Sequence, residues 1–402
     1  MKKQHYVLKT LITIIATAVI TFTITIVALY GRKTANVSTE NAISQAMKSD
    51  TLNSKLNMIK AKINEQFIGD VDENNLKEYA IKGYVAGLND IYSQYLTADE
   101  MKDFTDETNA NFVGIGVYMT KNTKQNAIEV YGVIKDSPAE EVGIKKGDFI
   151  TGVEGKKVTG DDFETIAKEI KGAEGSKVKV EITRGTETKE YEITRRKVAI
   201  NNVTSQMLSN NVAYINIASF EGDISTDFEN QYKDLANKGA KSLIVDLRNN
   251  GGGLVQEALE IGDLFTDKDQ TLLIETDKEG KETVEKAKTD KTISLKTVVL
   301  VNEDSASASE ILAALLKEDC DNVTIVGTKT YGKGVIQTLY QLTDGSGLKI
   351  TTNEYFTPKH NKINKIGITP DVEVEESKDF KFDGTIDIDK DVQLKKAIEI
   401  AK

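Results

Sequence analysis

The chain has 402 residues, of which 39% are apolar, 29% charged and only 3 proline, the balance of a globular body long enough for two or three folded units. A formal charge of -11 argues against nucleic acid or an anionic membrane surface as the main partner, because both are bound through excess Lys and Arg. One cysteine, Cys320, and two histidines, His5 and His360, exclude an intramolecular disulfide and a Cys/His zinc centre, and leave only His360 for a Ser-His-Asp triad in the body.

Residues Thr10 to Leu29 are 20 consecutive uncharged positions, which as a helix span a hydrocarbon layer of about 30 Å. Lys2, Lys3 and Lys9 precede them, so the N-terminus is expected in the cytoplasm and the body outside. The rival reading is a cleaved signal. Val27-Ala28-Leu29-Tyr30 offers no clear small-x-small cleavage site, and an uncleaved anchor is favoured. Export fits the near absence of cysteine and points to a bacterial envelope.

From Val37 to Asp106 the pattern is helical, with Leu76, Ala80, Ile81, Tyr84 and Leu88 at helix spacing and a capping box at Thr97 and Glu100. Between about Asn111 and Lys197, short alternating strands and Gly-rich turns surround one helix near Asp161 to Ile170, which predicts a compact strand-rich domain. After Ala199, apolar strands at Val212–Ile217, Leu243–Asp246, Val298–Val301 and Thr324–Val326 alternate with amphipathic helices, the grammar of an α/β domain. Thr226 and Glu229 suggest another capping box, and Gly239 a helix end. Leu254, Ala258, Ile261 and Phe265 mark a helix after the glycine run. Asp277 to Lys291 reads as a solvated excursion and Val392 to Ile400 as a final short helix. Cys320 reads as a small buried residue after a helix.

Three stretches carry chemistry. In Val301-Asn302-Glu303-Asp304-Ser305-Ala306-Ser307-Ala308-Ser309-Glu310 a strand turns into a helix, where a serine meets unpartnered backbone amides suited to an oxyanion; taken alone, Ser307 and Glu310 also fit a cap. Gly327-Thr328-Lys329-Thr330-Tyr331-Gly332-Lys333-Gly334 matches G-x-x-x-x-G-K, but Gly334 stands where magnesium binding needs Ser or Thr, and a strand follows where a helix should start. Lys333 there suits a desolvated base of lowered pKa, or a plain surface turn. In Asp246-Leu247-Arg248-Asn249-Asn250-Gly251-Gly252-Gly253 the glycines allow backbone amides to approach a substrate oxygen. All three stretches end core strands, which in an α/β sheet gathers loops on one edge.

A serine at a helix start, a lysine in a tight turn and a glycine-rich donor loop describe acyl transfer by a Ser-Lys mechanism, which needs no histidine. On these motifs the sequence resembles the carboxy-terminal processing (tail-specific) proteases over nearly all of the chain after the anchor. The resemblance implies Ser307 as nucleophile, Lys333 as general base, Gln337 orienting that lysine, Ala308 as one oxyanion donor and Gly252 or Gly253 as the second, with no cofactor or metal and with His360 a bystander. Asp70-Val71-Asp72-Glu73, Tyr92-Ser93-Gln94-Tyr95-Leu96 and Ile368-Thr369-Pro370-Asp371 extend it. Phe112-Val113-Gly114-Ile115-Gly116 with Ser137-Pro138-Ala139 looks like a PDZ domain, whose Gly114, Ile115 and Gly116 would hold the carboxylate of an added peptide strand. Ile91 replaces a proline frequent in the family, and Asp319-Cys320-Asp321-Asn322 lengthens the path from Ser307 to Lys333; neither alters a catalytic residue type.

The resemblance implies a multidomain α/β protein: leader and transmembrane anchor at 1–36, helical module at 37–108, PDZ domain at 109–198, a crotonase-like β-β-α peptidase core at 199–376 and a C-terminal helical segment at 377–402. The expected function is a membrane-anchored extracytoplasmic serine endopeptidase acting on proteins with free C-termini. A homodimer and a regulatory partner are also compatible with the resemblance. The alternative is a catalytically silent PDZ scaffold that binds protein C-termini.

Overall fold

The computed structural model describes residues 51–110, 112–198, 200–377, 380 and 386–402. The expected anchor at Thr10–Leu29 lies outside them. Among the described residues no helix is long and apolar enough to cross a membrane. The chain divides into two compact units, one through Ala80 and one from Ile81 to Lys402.

In the first unit, α1 (Leu52–Gln66) starts where the Thr51 side chain accepts the Ser54 N–H. Asp72 opens α2 (Glu73–Ala86) by accepting the N–H groups of Asn74 and Asn75, both at 3.0 Å, as a short acidic side chain does at a helix N-terminus.

The second unit takes up the last turns of α2 and continues through β1 (Gln94–Leu96) to α3 (Ala98–Thr108). The expected Thr97–Glu100 capping box is present, with the Thr97 hydroxyl accepting the Glu100 N–H and the Glu100 carboxylate accepting the Thr97 N–H. After β2 (Phe112–Gly114), a strand-rich module orders β3 (Val117–Asn122), β4 (Ala127–Val133), β5 (Phe149–Val153), β7 (Lys177–Arg184) and β8 (Glu187–Thr194) into an antiparallel sheet, with β6 (Lys156–Lys157) on β5. Two helices, α4 (Pro138–Glu141) and α5 (Phe163–Ile170), complete it. Alternation along β7 buries Val178, Val180 and Ile182 against Ile128, Ile150, Ile166 and Ile170, as a period of two requires. The chain leaves through β9 (Arg196–Val198), which pairs with β2.

The remaining strands build two sheets. One orders β10 (Val203–Met207), β11 (Val212–Ile217), β12 (Ser242–Asp246), β15 (Lys296–Val301), β16 (Val323–Gly327) and β19 (Val372–Glu373), parallel throughout except for β10. Between these strands lie α6 (Ile224–Asn237), α7 (Val255–Asp263) and α8 (Ala308–Asp319). Both faces are buried. Ala213, Ile215, Leu243, Val245, Val299 and Val301 pack on one side with Phe228, Ala258 and Leu312 of these helices. Val212, Tyr214, Ile244, Val298 and Leu300 pack on the other with Leu394, Ala397, Ile398 and Ala401 of α9 (Val392–Ala401). Double burial explains why these strands read as mostly apolar runs without strict alternation. The apolar face of α9 is thus covered within the chain. The second sheet contains β13 (Thr271–Asp277), β14 (Glu282–Lys286), β17 (Val335–Gln341) and β18 (Gly347–Phe356), and β1 joins it along β18.

Two expectations need correction. Thr226 does not cap α6: the N-cap is Asp223, and the Ser225 N–H goes to Glu257 Oε2 of α7 at 2.8 Å, so a tertiary partner replaces the local cap. The stretch from Asp277 to Lys291 is not all solvated loop, because Glu282–Lys286 pairs with β13 and Ala287 is buried. Its charges suit an exposed edge strand, where they discourage pairing with other chains.

The α9 start is fixed by a buried ion cluster. The Arg248 guanidinium donates to Asp246 Oδ2 at 2.6 Å and Asp391 Oδ2 at 2.8 Å, with all three residues buried. Asp391 also caps α9 by accepting the Leu394 N–H, and Tyr214 donates to Asp246 at 2.8 Å. Removing one member of such a cluster strands the others without water. Arg248→Met is therefore expected to lower stability by about 3–5 kcal/mol, read as a fall in the urea midpoint with unchanged slope.

Candidate active site

Because β11, β12, β15 and β16 run parallel, the loops after β12, β15 and β16 leave the same edge of the sheet. Asn250 joins two of them. Its carbonyl accepts the Ala306 N–H at 3.0 Å and the Ser309 hydroxyl at 2.9 Å, while its Nδ2 donates to the Ile217 carbonyl at 2.8 Å. The Ser305 hydroxyl donates to the Leu247 carbonyl at 2.8 Å. Two of the three clustered serines are thus committed to holding loops together.

Ser307 differs from both. It precedes α8 with φ 57° and ψ -116°, a backbone conformation that costs a non-glycine residue of order 1–3 kcal/mol and persists only where surrounding contacts impose it. The Glu310 N–H donates to the Ser307 backbone carbonyl at 2.8 Å, and the Glu310 carboxylate accepts the Ser307 N–H at 3.0 Å. The expected Ser307–Glu310 box is present, and among the described residues the Ser307 hydroxyl makes no hydrogen bond that meets full geometric criteria. The Ala308 N–H, at the first position of α8, has no hydrogen-bond partner among the described residues.

The same carboxylate holds the lysine turn. Glu310 Oε1 accepts the Thr330 hydroxyl at 2.6 Å and the Gly332 N–H at 2.7 Å, and Oε2 accepts the Lys333 N–H at 2.8 Å. With Ser307 this makes four donors on one fully buried carboxylate, the arrangement under which a buried negative charge is tolerated. Tyr355 adds a second tie, since its buried hydroxyl donates to the Lys333 carbonyl and lies 3.3 Å from the Ser307 carbonyl. Gly334 must be glycine, because a Cβ there would stand 2.3 Å from the Asn364 nitrogen. As expected, strand β17 follows, not the helix a phosphate-binding loop requires.

The Lys333 ammonium lies 4.7 Å from the centroid of the Tyr92 ring, within cation–π range. Burial pushes its pKa below the ordinary lysine value, and the nearby Lys349 adds to the fall, against the opposing charges of Asp90 and Glu310. Burial, a hydrogen bond with Tyr331 and the Asp90 and Glu310 charges push the Tyr92 phenol up to about 12. Burial also drives the Cys320 thiol up to about 11, as suits an inert thiol.

Not every expected residue converges on Ser307. Gly252 does: a Cβ there would stand 2.8 Å from both Ser307 Cβ and the Ala306 carbonyl oxygen, at φ 103°. Its N–H, however, is held by Asn250 Oδ1 at 2.8 Å, whereas the Gly253 N–H has no partner among the described residues. Gln337 makes no hydrogen bond to Lys333 and donates instead to Thr351 Oγ1 at 3.2 Å. Nor do Ser307 and Lys333 share one. His360 pairs with Glu282 at 2.7 Å on the surface. Gly114, Ile115 and Gly116 belong to the strand-rich module: the Ile115 carbonyl accepts the Ala139 N–H at 2.8 Å and that of Gly116 accepts the Ile134 N–H at 3.0 Å, while the Ile115 and Gly116 amides have no partner among the described residues. Beside them β3 is an open sheet edge against which α5 packs.

Sequence reasoning took Glu310 for a cap and passed over Tyr355, Asp90 and Thr351. A signal for Glu310 existed, because it is the one charged residue in the stretch from Ala308 to Leu316, which is apolar but for it and Ser309. Glu310→Gln would turn an amide donor toward two of the four donors now satisfied, and the expected loss is about 2–4 kcal/mol, measured by urea unfolding against Ser307→Ala as background.

Comparison with known proteins agrees with this geometry. Residues 211–374 match peptidase family S41, residues 113–194 match the PDZ domain and residues 14–100 match the N-terminal domain of the activating protease CtpB. The chain is 35% identical over 381 residues to the carboxy-terminal processing protease CtpA of Bacillus subtilis, covering 93% of this chain and 78% of that one. It is 33% identical to a probable CtpA-like serine protease of Staphylococcus saprophyticus, over 93% and 74% of the two chains. In fold it is similar to a putative S41 protease from Bacteroides fragilis, with TM-score 0.52, 19% identity and coverage of 77% and 86%. The chain belongs to the carboxy-terminal processing proteases of peptidase family S41, serine-type peptidases that here carry a PDZ domain.

Proposed function

We propose that this peptidase cleaves by a Ser-Lys mechanism on substrates selected by a free C-terminal tail, outside a membrane to which Thr10–Leu29 anchors it. The reading rests above all on Glu310, whose single carboxylate positions the Ser307 turn and the Lys333 turn together. Neutral Lys333 takes the Ser307 hydroxyl proton as Oγ attacks the scissile carbonyl carbon, and the resulting ammonium returns that proton to the leaving amine, forming an acyl-enzyme. Lys333 then takes a proton from water as its oxygen attacks the ester carbon, and the ammonium gives that proton to Ser307 Oγ as the acyl–oxygen bond breaks, which frees the serine and the carboxylic acid product and restores the neutral amine. The Ala308 N–H supplies one oxyanion donor, and the unengaged Gly253 amide is favoured as the second. Gln337 accepts a hydrogen bond from Lys333 during turnover.

Tail selection falls to the PDZ domain, where a peptide adds as a strand to the β3 edge and its carboxylate meets the Ile115 and Gly116 amides. The anchor reading is supported by the uncharged length of Thr10–Leu29 and the lysines before it. Protein or peptide chains are the substrates, and the mechanism calls for no cofactor.

Two outcomes test the reading. With an unstructured substrate protein, Ser307→Ala and Lys333→Ala abolish cleavage followed by mass spectrometry, His360→Ala retains it, and a C-terminal amide on the substrate slows it; cleavage by Lys333→Ala would overturn the base assignment. The second concerns pH. A base works when neutral, so kcat/KM rises with pH through the lowered pKa of Lys333, with its midpoint below the ordinary lysine range.

A further inference from the structure

Gln337, four residues after Lys333 at the start of β17, is committed at one end of its amide. Its Nε2 donates to Thr351 Oγ1 at 3.2 Å and lies 3.5 Å from the Val335 carbonyl. The Thr351 hydroxyl has one proton, and it goes to Asp90 Oδ2 at 2.6 Å; Thr351 can therefore only accept from Gln337. Asp90 is itself fixed as an ionised acceptor. Its Oδ2 also accepts the Ser93 hydroxyl at 2.5 Å, its Oδ1 accepts the Tyr92 N–H at 3.2 Å, and the Ser93 hydroxyl accepts the Thr351 N–H at 3.1 Å. Burial alone would raise the Asp90 pKa, but the Ser93, Thr351 and Tyr92 hydrogen bonds and the Lys333 charge outweigh it and hold the carboxyl below its ordinary value.

We infer that Asp90 and Thr351 are positioning residues for peptide hydrolysis: through the Thr351 proton, the Asp90 carboxylate fixes which end of the Gln337 amide remains for Lys333. That end is Oε1, which has no hydrogen bond among the described residues and can accept from the amine or the ammonium alike. The reverse orientation would present two N–H donors to a cation. The segment Asp90–Ser93 thus acts on Lys333 twice, through the Tyr92 ring over which the ammonium lies and through the relay to Gln337. The charged or titratable groups around Lys333 are Asp90 before β1, Lys349 on β18, Glu310 on α8 and Tyr92 beside Tyr331. This inference rests on the Ser-Lys reading above.

The test measures kcat and KM of the full chain against a tailed peptide between neutral and alkaline pH, for Asp90→Asn, Thr351→Val and Thr351→Ser beside Lys333→Ala and Gln337→Ala. Asp90→Asn can donate to Thr351, which reverses the relay and turns the Gln337 amide. The expected result is a fall in kcat of about tenfold or more for Asp90→Asn and Thr351→Val with KM within about twofold, and recovery of most of kcat in Thr351→Ser. Asp90→Asn also loses a charge that favours the ammonium, so its rise in activity moves to lower pH, while that of Thr351→Val stays. If Lys333→Ala and Gln337→Ala are inactive while Asp90→Asn and Thr351→Val keep the parent kcat and pH profile, the relay is overturned and the Ser-Lys mechanism stands. Equal losses in Thr351→Val and Thr351→Ser would overturn it too, by showing that shape and not the hydroxyl matters. Activity in Lys333→Ala would remove both readings.

Discussion

Four donors converge on the carboxylate of Glu310, and much of the active site follows from that convergence. A buried carboxylate is tolerable only if its lone pairs are filled, so the Ser307 turn and the Thr330–Lys333 turn are each held where they can donate to it. The strained backbone of Ser307 is one consequence. A non-glycine residue keeps φ 57° only when its neighbours over-determine it, and here the Glu310 carboxylate, the Asn250 carbonyl behind Ala306 and the Tyr355 hydroxyl do so together. The result is a serine hydroxyl set at the start of a helix whose first amide, that of Ala308, has no partner among the described residues.

Scarcity of histidine and electrostatics at the site belong to the same account. In the proposed Ser-Lys mechanism a lysine serves as base in place of an imidazole only if its ammonium is disfavoured, and partial burial with Lys349 nearby acts in that direction. Asp90 and Glu310 oppose it, and the Tyr92 ring gives the cation a weakly polar resting place. The proposed mechanism needs both forms of the lysine, the neutral amine as base and the ammonium as acid toward the leaving group, and these opposing influences act on that one equilibrium.

What was readable in the sequence follows the range of the interactions involved. Strands buried on both faces were legible from apolar runs such as Val298–Val301, and the Thr97–Glu100 cap from a local spacing of three. The placement of Ser307 and Lys333 in turns after core strands was legible because the flanking residues mark those turns. Thr226 misled because a distant carboxylate, Glu257, took over the capping of α6. The S-x-x-E spacing correctly marked Glu310 as a cap, but its long-range tie was not legible, because only the fold brings Thr330 and Lys333 to it. Asp90 and Thr351 are 261 positions apart in the chain, and no local pattern links them.

The strand-rich module enters through β2 and leaves through β9, and these pair from Phe112 opposite Val198 to Gly114 opposite Arg196. Its two connections to the rest of the chain are therefore adjacent, like the two leads of a plug. Residues Asp90–Leu96 lie before this plug and Ser307–Phe356 after it, yet they form one body through β1 and β18. A gene that lost, duplicated or exchanged the inserted stretch would leave the two halves of the host separated by the same short gap. The inserted module and its host can accordingly change on separate evolutionary clocks, whereas a cut placed just after Leu96 would split the host body itself.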